Sequence, residues 1–86
     1  MISGEEARLV REMVGQRLIS ARLRANLSQR GGAEMAGIAQ AALSNYEVGR
    51  RDIPLITLLL LCRCYAVAPE DVIWALPEPV HERVKR

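Results

Sequence analysis

Apolar side chains return every three or four positions through most of this chain. Leu9, Val10, Met13, Val14, Leu18, Ile19 and Leu23 follow that spacing and predict one long helix reaching to about Asn26. Its start is marked by Ser3-Gly4-Glu5-Glu6, a Ser-x-x-Glu capping box, with two acids placed to complement the helix dipole. Gly15 interrupts the pattern and is the place where such a helix would bend or break. Shorter periodic segments follow. Ser28 is the expected N-cap of a second helix that carries Gly31-Gly32 and ends at Gly37; a third runs from roughly Ala39 to Val48 and is closed by Gly49. Pro54 suits the first position of a fourth helix reaching about Tyr65, and Pro69-Glu70-Asp71 opens a fifth that stops before Pro77. The expected layout is one helical domain over 1–76 and a polar, proline-broken, mobile tail over 77–86.

Composition narrows the class. The chain has 86 residues, room for one domain, and half of them are apolar, yet it has no Phe, one Trp and two Tyr. A core of Leu, Ile, Val, Met and Ala with few β-branched runs is an all-α core. The net charge of +2 is too small for a polycation, so any nucleic-acid footprint must come from local clustering of arginines. Cys62 and Cys64 stand two apart in an apolar run, and His81 is the only histidine, which leaves too few ligands for zinc and no cofactor to expect. Positions i and i+2 of a helix point to different sides, so the two thiols are expected to be reduced rather than bridged. The acidic start lacks the order of a signal peptide, and the apolar stretch from Leu58 to Cys62 is far too short to cross a bilayer. A catalytic triad, a paired-carboxylate signature and a phosphate-binding glycine loop are all missing, so no catalytic residue and no enzyme are expected.

The informative stretch runs from Leu27 to Arg51, with the motif itself over about 28–49. It holds two short helices joined by a turn containing Gly37, the unit that presents one helix to a groove. Ala33 is small where two helices must cross closely, and Ile38 and Leu43 are apolar anchors for the crossing. What remains for the outer face of the third helix is Gln40, Ala41, Ser44 and Asn45, all short or amide side chains.

With Leu27-Ser28-Gln29, Ala33, Gly37-Ile38, Leu43-Ser44-x-Tyr46-Glu47-x-Gly49-Arg50-Arg51 and Pro54 at these spacings, the sequence resembles the lambda-repressor-like helix-turn-helix family (the Cro/C1 or XRE type). The resemblance extends without a gap from about Val14 to Val72. It implies a five-helix DNA-binding domain, here with an extended N-terminal helix. It also implies roles by position. Gln29 falls where a residue hydrogen-bonds a phosphate, Arg50 and Arg51 where the family grips the backbone, and Gln40, Ala41, Ser44 and Asn45 where base edges are met. Glu47 matches an acid that pairs with an arginine of the first helix, a place taken here by Arg22.

Two departures from the family pattern stand out. Gly32 replaces a residue that is usually large and apolar, and Ala36 is also smaller than usual. An unfilled space of that kind forfeits about 2–5 kcal/mol. The expectation is that Met35, Leu58 and Leu61 fill it, or that the second helix is the least protected of the five. The third helix also has no Arg or Lys between Gln40 and Val48, so its readout should favour A·T-containing steps through Gln40 and Asn45. Surplus apolar residues of the fourth helix (Ile56, Leu58, Leu59, Leu60, Leu61), and Leu9, Val10 and Met13 with Val72, Ile73, Trp74 and Leu76, offer surfaces that pack on each other within one chain or form a homodimer seam made by the fifth helix and its neighbours. The implied partner is double-stranded DNA, and the implied function is a cytoplasmic transcription regulator, a repressor of bacterial or phage type. The glycine pair, the alanine-rich third helix and the modest charge favour a competing reading, a protein-interaction module of antitoxin or anti-activator type on the same fold.

Overall fold

The computed structural model describes residues 3–73, which form five helices and no strand. They are α1 (Gly4–Arg24), α2 (Gln29–Ala36), α3 (Gln40–Glu47), α4 (Leu55–Cys64) and α5 (Pro69–Ile73). The expected tail over 77–86, with Trp74 and Leu76, lies outside the described residues. Ser3 and Glu6 close the capping box at the start of α1, with Ser3 Oγ accepting from the Glu6 amide at 3.0 Å and Glu6 Oε1 from the Ser3 amide at 3.1 Å. Ser28 caps α2 by accepting from the Gly31 amide at 2.9 Å. Pro54 sits one place earlier than expected: its backbone is extended (φ −61°, ψ 144°), so it is the N-cap of α4 and Leu55 is the first helical residue.

The first four helices all end by one device. A left-handed residue (Asn26, Gly37, Gly49 or Ala66) turns the chain back, and the next amide bonds to the carbonyl five residues earlier. The bonds are Leu27 to Arg22, Ile38 to Ala33, Arg50 to Asn45, and Val67 to Cys62, at 2.9–3.1 Å. The two glycine stops are readable from residue type; Asn26 and Ala66 are held left-handed by these bonds.

α1 runs across the domain and packs on α3, α4 and α5, while α2 packs on α3 and α4. Leu18, Ala21, Ala33, Leu43, Leu58, Leu61, Cys62, Tyr65 and Val72 form the core between them. Gly15 does not break α1. The helix is continuous through it because α3 ends against it: a Cβ at Gly15 would lie 2.3 Å from the Glu47 carbonyl oxygen and 2.7 Å from that of Tyr46. The absent side chain is what lets α1 meet the end of α3.

Gly32 is also filled differently from expectation. Met35 is exposed, and the space above Gly32 is taken by the Tyr65 ring and the Arg22 stem, whose Oη and Cδ lie 2.8 and 3.2 Å from where a Cβ would be. There is thus no void to soften α2 from beneath, although two glycines still cost the helix about 1 kcal/mol each in propensity. Both cysteines are free; Cys62 is buried, and burial pushes its thiol up, which keeps it protonated and unreactive at neutral pH.

Candidate nucleic-acid interface

Burial divides α3 sharply. Leu43 and, one turn later, Glu47 face the core, while Gln40 and Ala41 are exposed and Ser44 and Asn45 half-buried on the other side. Val48 belongs to that outer side as well. It continues the four-residue line of Gln40 and Ser44 and is 51 % exposed, an apolar member of the face that the sequence reading did not include. The i+4 spacing from Ser44 was the available signal.

The one acid of α3 is kept from the surface. Glu47 is 2 % exposed and accepts from Arg22 twice, Nε to Oε2 at 2.7 Å and Nη2 to Oε1 at 3.1 Å, so its charge is neutralised where it would otherwise repel phosphate. The third arm of Arg22, Nη1, donates to the Leu27 carbonyl at 2.9 Å, tying α1 to both the α1–α2 turn and α3.

Gln29 extends this network outward. Its Nε2 donates to Glu47 Oε1 at 2.9 Å; because a carboxylate only accepts, the amide has one permitted orientation, with Oε1 turned toward α3. That oxygen accepts from Gln40 Nε2 at 3.4 Å. The expected phosphate residue and the expected base-reading residue are therefore in contact, and the amide orientation of Gln40 traces back to a buried carboxylate. Gln29 keeps one Nε2 hydrogen that neither bond uses.

Arg50 and Arg51 are exposed in the loop after α3 but lie apart. Arg50 Nη1 donates to Asn45 Oδ1 at 2.9 Å and so rests on α3. Arg51 instead lines a mostly apolar cleft of about 180 Å³ with Val10, Arg11, Val14, Tyr46, Asp52 and Ile53. Ala41 and Ser44 complete the outer face beside this network.

The N-terminal half of α1 supports this loop. Arg11 Nε donates to the Gly49 carbonyl at 3.2 Å, its Nη1 reaches Asp52 at 3.4 Å, and Gly49 sits so close to Glu12 that a Cβ there would fall within 2.7–2.9 Å of it. Arg11 and Gly49 are 38 residues apart, and no local pattern could have paired them. Among the described residues, no three His, Cys, Asp or Glu side chains gather as a metal site requires. None of the helices there is long and apolar enough to cross a membrane.

A helix-turn-helix family model matches residues 18–72, from the middle of α1 to α5, spanning the ion pair, the turn and α3. The chain belongs to the XRE-type helix-turn-helix family. Solved structures of two regulators are similar to it. The restriction-modification controller protein C.AhdI from Aeromonas hydrophila is 27 % identical, with a TM-score of 0.69 over 72 % of this chain and 94 % of that one. The clp gene regulator ClgR from Corynebacterium glutamicum is 29 % identical, with a TM-score of 0.72 over 76 % of this chain and 84 % of that one. No curated protein matches the chain significantly. The family match begins at Leu18, so the loop-supporting turns of α1 from Gly4 to Arg17 precede it.

Proposed function

We propose that this helix-turn-helix protein binds duplex DNA as a homodimer, with α3 of each copy in the major groove, and represses transcription by occupying its site. The coarser activity, DNA-binding transcription regulation, follows from family membership and from the regulators it resembles. The observation that carries the finer reading is the outer face of α3. It is uncharged and polar, its only acid is neutralised inside, and its first reading side chain is already oriented by Gln29. Gln40 suits adenine, Ala41 and Val48 suit thymine methyl groups, Ser44 and Asn45 add hydrogen-bonding groups, and Gln29 and Arg51 serve flanking phosphates.

An eight-residue helix reads too little DNA for a single copy to bind specifically, hence two half-sites and two copies. Within one chain Val72, Leu58 and Leu61 are consumed by the core. Leu55, Ile56, Leu59 and Leu60 stay exposed along one side of α4, and this stripe is the seam we assign to the second copy. A protein of this kind works in the cytoplasm of a bacterium or in a phage-infected cell.

Selection of bound duplexes from a random pool, with affinity measured across salt, tests the reading. A paired half-site and a steep fall of affinity with salt are expected, the slope easing by about 1 per half-site in Arg51→Ala. Ile56→Glu with Leu60→Glu is expected to leave the fold intact, give a monomer in sedimentation and abolish binding to the paired site. Absence of any salt-sensitive binding would favour the protein-interaction reading, for which the exposed stripe of α4 is the supporting observation.

A further inference from the structure

We propose that Arg50 reads a guanine, with Asn45 as the residue that positions it, so that the two act as one reading unit at the C-terminal end of α3. This rests on α3 being the helix that enters the groove. The family resemblance alone would put Arg50 on the DNA backbone, and α3 itself carries no cation that could recognise guanine.

The geometry is specific on three points. Asn45 holds Arg50 twice: its carbonyl accepts from the Arg50 amide at 2.9 Å, and its Oδ1 accepts from Nη1 at 2.9 Å. A guanidinium only donates, so Oδ1, not Nδ2, must face it. The side-chain acceptor that Asn45 would need for a bidentate bond to adenine is thereby already engaged, and the donor fork of Arg50 stands beside it in solvent.

The backbone beneath Arg50 is also fixed. Gly49 is left-handed (φ 78°), which turns the chain back over the last turn of α3, and it is held from the other side by Arg11 and Glu12 of α1. Arg50 thus returns to α3 instead of following the loop outward. Arg51, by contrast, lies toward the α1 cleft. Both amides point to the Asn45 carbonyl (that of Arg51 at 3.4 Å), but the two side chains rest against different elements and are suited to different partners, one a base edge and the other a phosphate.

In the major groove guanine presents N7 and O6 as neighbouring acceptors, and the planar arginine fork matches that pair. Gln40 and Asn45 are five residues apart on α3, a rise of about 7.5 Å. Each half-site is therefore expected to hold an adenine met by Gln40 from one end of α3 and a separate guanine met by Arg50 from the other.

The test is selection from a random duplex pool with the wild-type chain, Arg50→Ala, Asn45→Ala and Arg51→Ala, followed by affinity against salt on the selected site and on that site with 7-deazaguanine at the fixed position. The expected wild-type result is a fixed guanine and about tenfold or greater loss on the deaza site. Arg50→Ala keeps most of the salt slope yet loses the guanine preference and the deaza effect; Asn45→Ala relaxes the same position; Arg51→Ala weakens all duplexes alike and lowers the slope. An Arg50→Ala protein that still selects guanine, or that loses affinity uniformly with a shallower salt slope, overturns the proposal and leaves Arg50 on a phosphate. A wild-type chain that enriches no sequence at all overturns the DNA-reading function itself, and this inference with it.

Discussion

Arg22 and Glu47 stand 25 residues apart and meet through two hydrogen bonds, one helix of the domain clamped to another around a buried carboxylate. The pair also fixes Gln29, and through it Gln40, so its contribution extends beyond stability to the order of the outer face. Glu47→Ala leaves the Arg22 guanidinium buried without its counter-charge. A loss of about 3–5 kcal/mol in denaturant unfolding is the expected outcome. Replacing both residues together, Arg22→Met with Glu47→Leu, should recover most of that loss. A single-variant loss below about 1 kcal/mol would show the pair to be screened by solvent.

Tyr65 makes a different kind of prediction. Its hydroxyl is buried over Gly32 and no described protein group bonds to it, which leaves a desolvated donor of the kind that costs about 1–3 kcal/mol. Tyr65→Phe is expected to stabilise the fold by about 1 kcal/mol, raising the melting temperature by about 4–8 °C. Burial, and next the charge of Glu47, push the phenol up to about 12 from an ordinary 10.0. The folded state therefore keeps its proton where the unfolded chain releases it. Stability is intact below pH about 10 and is lost as pH rises from there through about 12, by up to ~1.4 kcal/mol per pH unit. Urea melts across that range should show the slope in the wild type and a shallower one in the Phe variant.

Two glycines of α1 give an internal contrast. A methyl at Gly15 would meet backbone carbonyls of α3 that have nowhere to go, whereas a methyl at Gly4 meets nothing within 4 Å. Gly15→Ala should destabilise the domain by about 1–3 kcal/mol or more, and Gly4→Ala should be neutral or slightly stabilising. Equal effects in thermal unfolding would contradict the close approach.

Arg11 links the turns of α1 that precede the family match to the loop carrying Arg50 and Arg51. Arg11→Ala removes a half-exposed tie, so the melting temperature should move little. Affinity for the selected duplex should nevertheless fall a few-fold, because the loop is then less ordered before binding. A large drop in melting temperature with unchanged affinity would assign Arg11 to the fold alone.

The sequence carried the helical frame well where the signals are local. The Ser3 and Ser28 caps, the Gly37 and Gly49 stops and the uncharged outer positions of α3 are all set by neighbours within one turn. Contacts between distant segments were not legible in the same way. Gly15 looked like a flaw because the carbonyls that need it belong to residues 46 and 47. Gly32 looked like a void because Tyr65 is 33 positions away and falls outside the residues considered to fill it. The Arg22–Glu47 pair was legible only through the family resemblance, since no periodicity joins the two positions. The bond from Arg50 to Asn45 needed the left-handed turn at Gly49 to be seen in three dimensions.

The fit of Tyr65 over Gly32 also constrains the order in which this sequence can change. A larger residue at 32 meets the phenol oxygen first, so the step is blocked while tyrosine remains at 65. Loss of the ring alone opens the space that glycine cannot fill. The two positions must therefore move in sequence, Tyr65 shrinking to Phe before Gly32 grows to Ala, and a library that varies Gly32 alone will record it as intolerant when only the path to a larger residue is narrow.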